Sequence, residues 1–398
     1  MDKQALRELF PVTKNLVYFN HAAVGPMSVR ACAAMEGHAR DQRDFGALHW
    51  REWYAEHDRA RRAGAALLGA DAGEVAILKN TSEGIALVAE GYRWESGDSV
   101  VTTDLEFPSN STPWRRLARR GVECRLVRSS GGAFTPEDVE KQMDAKTRIV
   151  TVSSVQFHNG FAADLEAIGE ICARRGALFC VDAIQSVGAL PIDVRRAKIA
   201  FLAADGHKWM CGPEGAALFF VSAEHRERLE VIESGWTNFE RKGRFIDCPL
   251  DLLPSARRFE PGSLNTNGIY GLCAALDLLQ EVGIEAIAAE VVRLATKLAE
   301  GLESIGFKLG APKPVASGIV GVTPPPVDSA RLRQFSGIDL PASPSAGAVL
   351  AALHTGLEKE GIVCAPREGM LRFSPHFYND DAEVERVAEV LGKLKIAN

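Results

Sequence analysis

No run of apolar residues in this 398-residue chain reaches the length of about 20 that spans a bilayer. Residues 1–7 contain no apolar signal core. These absences predict a cytoplasmic protein with no membrane partner. Excess positive charge is also missing: 46 Lys and Arg stand against 52 Asp and Glu, a net charge of −6, which gives no basis for nucleic-acid binding. Arg115, Arg116, Arg119 and Arg120 are the densest basic group, and their helical spacing reads as a solvated face. The eight cysteines form no C-x-x-C pair, so reduced and mostly buried thiols are expected. The nine histidines form no metal-ligating cluster, and His38, His49 and His57, on a charged helical stretch, read as surface residues. No metal is expected. No G-x-G-x-x-G follows the first strand, which argues against a nicotinamide dehydrogenase.

What is present is an alternation. Apolar runs at 75–78, 99–103, 123–127, 148–153, 177–182, 200–204 and 216–221 read as buried strands. Helical patterns at 85–92, 113–120, 135–143 and 165–175 separate several of them. Strand–helix alternation predicts an α/β fold with a mainly parallel sheet covered on both faces and a ligand at the carboxyl edge of its strands. A long helical region at 269–304 leads to a smaller α+β segment. There the strand candidates are 307–309, 319–322, 362–365 and 370–374, and the helices lie near 346–360 and 381–395. The Gly-, Pro- and Ser-rich stretch 336–347 reads as a loop, either a surface insertion or a lid. The organisation expected is an N-terminal arm (1–20) belonging to the small domain, a large domain (21–268), and a linking helix with the small domain (269–398).

Two strand ends carry chemistry. Asp182 closes the apolar run at 177–182, and Lys208 follows the run at 200–204 through Asp205-Gly206-His207-Lys208. An amine and a carboxylate at neighbouring strand ends suit pyridoxal 5′-phosphate (PLP). The amine forms a Schiff base with the aldehyde, and the carboxylate keeps the pyridine nitrogen protonated as an electron sink for a carbanion at the substrate Cα. Asn80-Thr81-Ser82-Glu83-Gly84 follows the first strand and opens a helix, offering backbone N–H groups and two hydroxyls to a phosphate. Three residues beyond Asp182, the Gln185 amide is within reach of the cofactor's phenolic oxygen. The Gly-rich segment Gly206-His-Lys-Trp-Met-Cys-Gly-Pro-Glu-Gly215 suits a desolvated lysine that moves a proton at Cα.

These motifs resemble the class V aminotransferase family of fold-type I PLP enzymes. The family includes cysteine desulfurases, selenocysteine lyases, isopenicillin N epimerases and kynureninases. The resemblance runs from Tyr18-Phe-Asn-His-Ala-Ala-Val-Gly25 to Leu371-Arg-Phe-Ser-Pro-His-Phe-Tyr-Asn379. It implies the aspartate-aminotransferase-like fold, with a seven-stranded sheet and a smaller C-terminal domain. Lys208 is then the Schiff-base lysine, Asp182 the pyridine partner and Gln185 the phenolic-oxygen contact. Thr81, Ser82 and His207 would bind phosphate, and Phe107 would stack on the ring. Ser263 would reach the phosphate of a neighbouring subunit, which implies a homodimer with shared active sites. Arg372 would hold the substrate α-carboxylate through its bidentate fork, with Asn20 and His21 beside it.

Departures from the family pattern qualify the activity. Many members carry Ser in a Ser-x-His-Lys pattern where this chain has Asp205, so Asp205 is expected to point away from the phosphate or to bond a backbone amide. Phe107 stands where desulfurases place an acid–base histidine, leaving proton transfer to Lys208, with His21 or His158 as helpers. Gln156 and Asn159 are candidates for a second phenolic-oxygen contact. Cys364, eight residues before Arg372 and inside an apparent strand, is poorly placed to be a persulfide-forming nucleophile. The reading is an enzyme acting at Cα of an amino-acid or keto-acid substrate through an external aldimine. Transamination leads. A C–S or C–Se lyase without the persulfide cysteine, or an amino-acid epimerase, is the alternative. Side-chain specificity is expected from the loops at 21–27, 236–248 and 336–347.

Overall fold

A computed structural model describes residues 2–240, 245–247 and 249–394. In chain order the elements are α1 (Lys3–Glu8), β1 (Val17–Tyr18), α2 (Val29–Phe45), α3 (Trp50–Leu68), β2 (Val75–Leu78), α4 (Thr81–Gly91), β3 (Ser99–Thr103) and α5 (Thr112–Arg116). Then come β4 (Glu123–Val127), α6 (Pro136–Gln142), β5 (Thr147–Ser153), α7 (Leu165–Arg175), β6 (Leu178–Asp182), β7 (Phe201–Asp205), β8 (Ala217–Val221), α8 (Thr266–Val282) and α9 (Ile284–Ser304). The remainder is β9 (Lys308–Leu309), β10 (Val320–Thr323), α10 (Ser329–Ser336), α11 (Ala346–Lys359), β11 (Ile362–Val363), β12 (Ala365–Arg367), β13 (Met370–Phe373) and α12 (Asp381–Gly392).

The seven strands read from the apolar runs form one sheet in the order β2-β8-β7-β6-β5-β3-β4. Only β8 runs against its neighbours; the rest of the sheet is parallel. Strands buried on both faces carry near-continuous apolar sequence, as β2 does in Val-Ala-Ile-Leu. The pleat divides them between two cores: Val75 and Ile77 join one, Ala76 and Leu78 the other. The same alternation orients the chemistry. Asp182 has the parity of Cys180, and Asp205 that of Phe201 and Ala203, so both carboxylates lie on the face that packs α4.

A separate four-stranded antiparallel sheet, β12-β13-β10-β9, gathers a third core with α9, α11 and α12. The chain start straps the two regions together. β1 pairs with β11 and Asn20 bridges to Ser374, placing Phe19 in the small core. Phe10 stacks on Tyr378 at 4.0 Å and belongs to the core of the large sheet. The helical region expected at 269–304 is two helices broken at Gly283.

Two surface expectations are corrected. His38 and His57 are buried, because α2 and α3 pack on α8: His57 Nε2 lies 3.0 Å from Thr266 Oγ1, and His38 packs on Tyr270. Residues 337–345 form no lid over the sheet edge. Leu340 is buried in the small core, and the loop is tied to α10 through Arg333 and Ser329.

Gly25 shows how tightly the strap meets the sheet edge. Its N–H donates to His207 O at 2.7 Å, and a Cβ there would sit 2.0 Å from Lys208 O. Gly25→Ala is therefore expected to destabilise the protein by more than about 2 kcal/mol and to lower cofactor occupancy. Gly37→Ala, in α2 with open space around it, is expected to stabilise by about 0.5–1 kcal/mol. Thermal melts of the two variants check both signs.

Candidate active site

Strand geometry brings the chemistry-bearing residues to one place. β6 ends at Asp182 and β7 at Asp205, with Asp182 opposite Ala203, so both acids emerge at the carboxyl edge. The turn after β7 then carries His207 and Lys208. α4 starts beside them, capped by Asn80 Oδ1, which accepts from Glu83 N at 2.9 Å. The result is a cavity of about 520 Å³ lined by Thr81, Ser82, Phe107, Asp182, Gln185, Asp205, His207, Lys208 and Arg372, together with Arg367 and Phe157.

Asp182 is 2% exposed and accepts one backbone hydrogen bond, from Ile184 N at 3.1 Å. Burial raises its pKa, and the Glu106 charge adds to the rise. Burial pushes the Lys208 amine the other way, opposed by the attraction of Asp182. Lys208 Nζ sits 5.8 Å from the centre of the Phe107 ring. Phe107 keeps one exposed face and packs edge-on against Phe157. The loop that carries it is fixed by Glu106, whose carboxylate accepts from Ser153 N and Oγ, Gln156 Nε2 and Asn110 Nδ2.

Asp205 does not turn away from the cavity as expected. It is 4% exposed, its Oδ2 lies 3.0 Å from His207 Nδ1, and its own N–H donates to Thr81 Oγ1. The contact with His207 is close but poorly aligned for a hydrogen bond, and Asp205 Oδ1 also lacks a partner. Gln185 is held by the protein at both ends of its amide, donating to Ala22 O and accepting from Trp209 Nε1. Ser82 Oγ and Ser109 Oγ are 2.7 Å apart.

Arg372 is buried on β13. It donates to Phe157 O at 2.8 Å and to Asn20 Oδ1 at 3.3 Å, and its Nε has no partner. Asn20 thus holds the guanidinium and does not line the cavity. His21 is a further correction. It is fully buried, with Nδ1 on Ser374 O and Nε2 on the Tyr378 hydroxyl, so neither ring nitrogen faces substrate. Burial drives its pKa well below the usual histidine range. Asn159 spends its amide on Gly132 O, Gly310 O and Phe161 N, and Gln156 donates to Glu106; neither lines the cavity. His158 is buried outside it too. Cys364 is 2% exposed, and burial pushes its thiol up to about 12. Ser263 is exposed and does not line this cavity.

The aminotransferase class-V family matches residues 34–387. The chain belongs to that family. A probable cysteine desulfurase of Methanothermobacter thermautotrophicus is 31% identical, over 99% of this chain and 98% of the relative. The apo structure of a cysteine desulfurase from Thermococcus onnurineus superposes with a TM-score of 0.83 at 26% identity, covering 98% of both chains. The cystine C–S lyase C-DES, solved with cysteine persulfide, gives 0.85 at 23% identity, covering 97% of this chain and all of that one, a likeness of fold.

The family is PLP-dependent, and the residues here fit the group. The cavity holds a buried carboxylate with a single hydrogen-bond partner, an amine with none among the described residues, and unpartnered buried atoms on Asp205, His207 and Arg372. A helix N-terminus with two hydroxyls supplies the anion cradle. Arg367 and Ser109 went unread in the sequence. Arg367 was legible in principle from the Glu368-Gly369 turn that sets it on the same face of the hairpin as Arg372.

Lys208→Ala is expected to abolish the covalent attachment of PLP. Borohydride treatment followed by mass spectrometry should fix the cofactor to the wild-type chain only; attachment in the variant would move the lysine assignment elsewhere.

Proposed function

We propose that this protein is a PLP-dependent C–S or C–Se lyase that cleaves a β-substituted amino acid by α,β-elimination and uses no persulfide cysteine. When bound, PLP supplies an electron sink for charge developed at the substrate Cα. Everything else is done by the chain. Thr81 and Ser82 at the start of α4, with His207, would hold the phosphate. Asp182 would hold the ring nitrogen, whose positive charge would offset the desolvation of the carboxylate. Arg372, its Nε unspent, would hold the α-carboxylate and set the Cα–H bond toward Lys208.

The observation that carries this reading is the composition of the cavity wall. Lys208 is the base placed to take the α-proton, while the wall near its amine is Phe107 packed on Phe157, neither of which moves a proton. That asymmetry weighs against epimerisation, which needs a second acid on the opposite face. No described cysteine lines the cavity, and Cys364 is buried with its thiol protonated. Sulfur released from the substrate would therefore leave as a thiol. Relatives named for cysteine and cystine cleavage favour elimination over the transamination expected first. In balance, R–S–CH₂–CH(NH₃⁺)–COO⁻ and water give R–SH, pyruvate and ammonium. The α-proton goes to Lys208 and the thiolate leaves with the electron pair of the C–S bond.

Incubating the holoenzyme with S-substituted cysteines and following thiol, pyruvate and ammonium tests this. Equal yields of the three support elimination. Conversion to the pyridoxamine form with release of an intact keto acid would restore transamination. A homodimer with shared sites belongs to the same proposal, supported by the exposed Ser263 and by the exposed apolar side chains Ile246 and Leu250. Light scattering should give twice the 43.0 kDa chain mass, and Ser263→Ala should then weaken PLP binding. A monomer with full cofactor affinity would sink that arrangement.

A further inference from the structure

The charges lining the cavity are unevenly paired. Its cationic groups are Lys79, Lys208, Arg367 and Arg372; its acids are Asp182, Asp205 and Glu214. Lys79 is paired with Glu83 at 3.0 Å, and His207 faces Asp205 at 3.0 Å. Asp182 attracts Lys208. Glu214 is exposed on its turn and forms no ion pair among the described residues. The two guanidiniums, Arg367 and Arg372, pair with no carboxylate among the described residues, and a substrate α-carboxylate matches one.

Local structure fixes the second guanidinium beside the first. β12 and β13 form a hairpin closed by Glu368 and Gly369, with φ of 46° and 78°. Left-handed conformations at both central positions suit a two-residue hairpin turn, and they set the register. In that register Ala365 faces Arg372 and Arg367 faces Met370. Positions 365 and 367 point the same way along β12, so Arg367 lies on the same face as Arg372 as its diagonal neighbour. Opposite Arg372 stands only the methyl group of Ala365. Arg367 is half-buried, its recorded hydrogen bond goes to the adjacent Pro366 O at 2.7 Å, and no described carboxylate pairs with it. Its charge adds to burial in lowering the pKa of Arg372. The hairpin thus holds two like charges together with no acid between them, which is unfavourable unless the ligand brings negative charge to both.

We infer that Arg367 is a specificity residue that binds a second anionic group, carried on the side chain of the substrate, while Arg372 takes the α-carboxylate. The substrate class is an amino acid whose side chain ends in a carboxylate or comparable oxyanion. The inference rests on the amino-acid lyase reading above and names its substrate.

The test uses two ligands alike in shape and different by one charge, S-carboxymethyl-L-cysteine and S-carbamoylmethyl-L-cysteine. Binding to the holoenzyme is read from the shift of the cofactor absorbance and, independently, by calorimetry. The expected result is about a tenfold preference for the carboxymethyl compound, falling below threefold in Arg367→Gln and kept above threefold in Arg367→Lys. The retained cofactor band shows that each variant is folded. A wild-type preference below threefold, or one that survives in Arg367→Gln, overturns the inference while leaving the lyase reading standing. If neither compound binds, the amino-acid reading of the cavity fails and takes this inference with it.

Discussion

Two opposite charges held out of water at neighbouring strand ends are the constraint on which the rest of the site depends. Asp182 and Lys208 each lose hydration that costs several kcal/mol to give up. Burial pushes the acid's affinity for a proton up and the amine's down. Neither group is at rest in this setting, which is what a carboxylate waiting for a cationic ring and an amine waiting for a carbonyl require. The parallel sheet makes this possible. It ends its strands together at an edge that loops and a second domain can cover, so charged groups are placed by backbone geometry and not by long flexible side chains.

The cover comes from distant parts of the chain. At the end of the strap formed by residues 18–25, Gly25 lies backbone to backbone on the turn that carries Lys208, which explains a glycine where any side chain would strike a carbonyl. The same segment runs through the small sheet, pairing with β11 and Ser374. One strap therefore couples the amine on the large sheet to the arginine on the small one, and Asn20 makes the coupling direct by accepting from Arg372. Glu106 plays the matching part on the opposite wall. Its donors on Ser153 and Gln156 tie the Phe107 loop to β5 and to the segment after it, Asn110 braces it within the loop, and its charge reinforces the proton affinity of Asp182.

Several polar residues that look chemical in sequence are structural. His21 and His376 are buried between the strap, Trp209 and Tyr378, each with both ring nitrogens engaged. Burial lowers both their pKa values, as expected of neutral imidazoles used as rigid hydrogen-bonding spacers. Asn159 likewise ties together three backbone segments at the join of the two sheets.

The sequence alone determined the sheet and the chemistry at its edge. Seven short apolar runs bounded by turns allow few arrangements, and an acid or lysine just past such a run has nowhere to go but the carboxyl edge. Asp182 and Lys208 were legible for that reason, Thr81 and Ser82 from the helix start after the first strand, and Phe107 only through the family resemblance. Only the tertiary structure decided which polar groups face the cavity and which face the protein. His21 and Asn20 adjoin the site in sequence, but their hydrogen-bond partners lie more than 350 residues away, at Ser374, Tyr378 and Arg372. Arg367 faces the cavity because a two-residue turn sets the register of its hairpin. Periodicity reports which face of a strand is apolar. It does not report what a polar side chain meets across a domain boundary, because that depends on contacts between segments far apart in the chain.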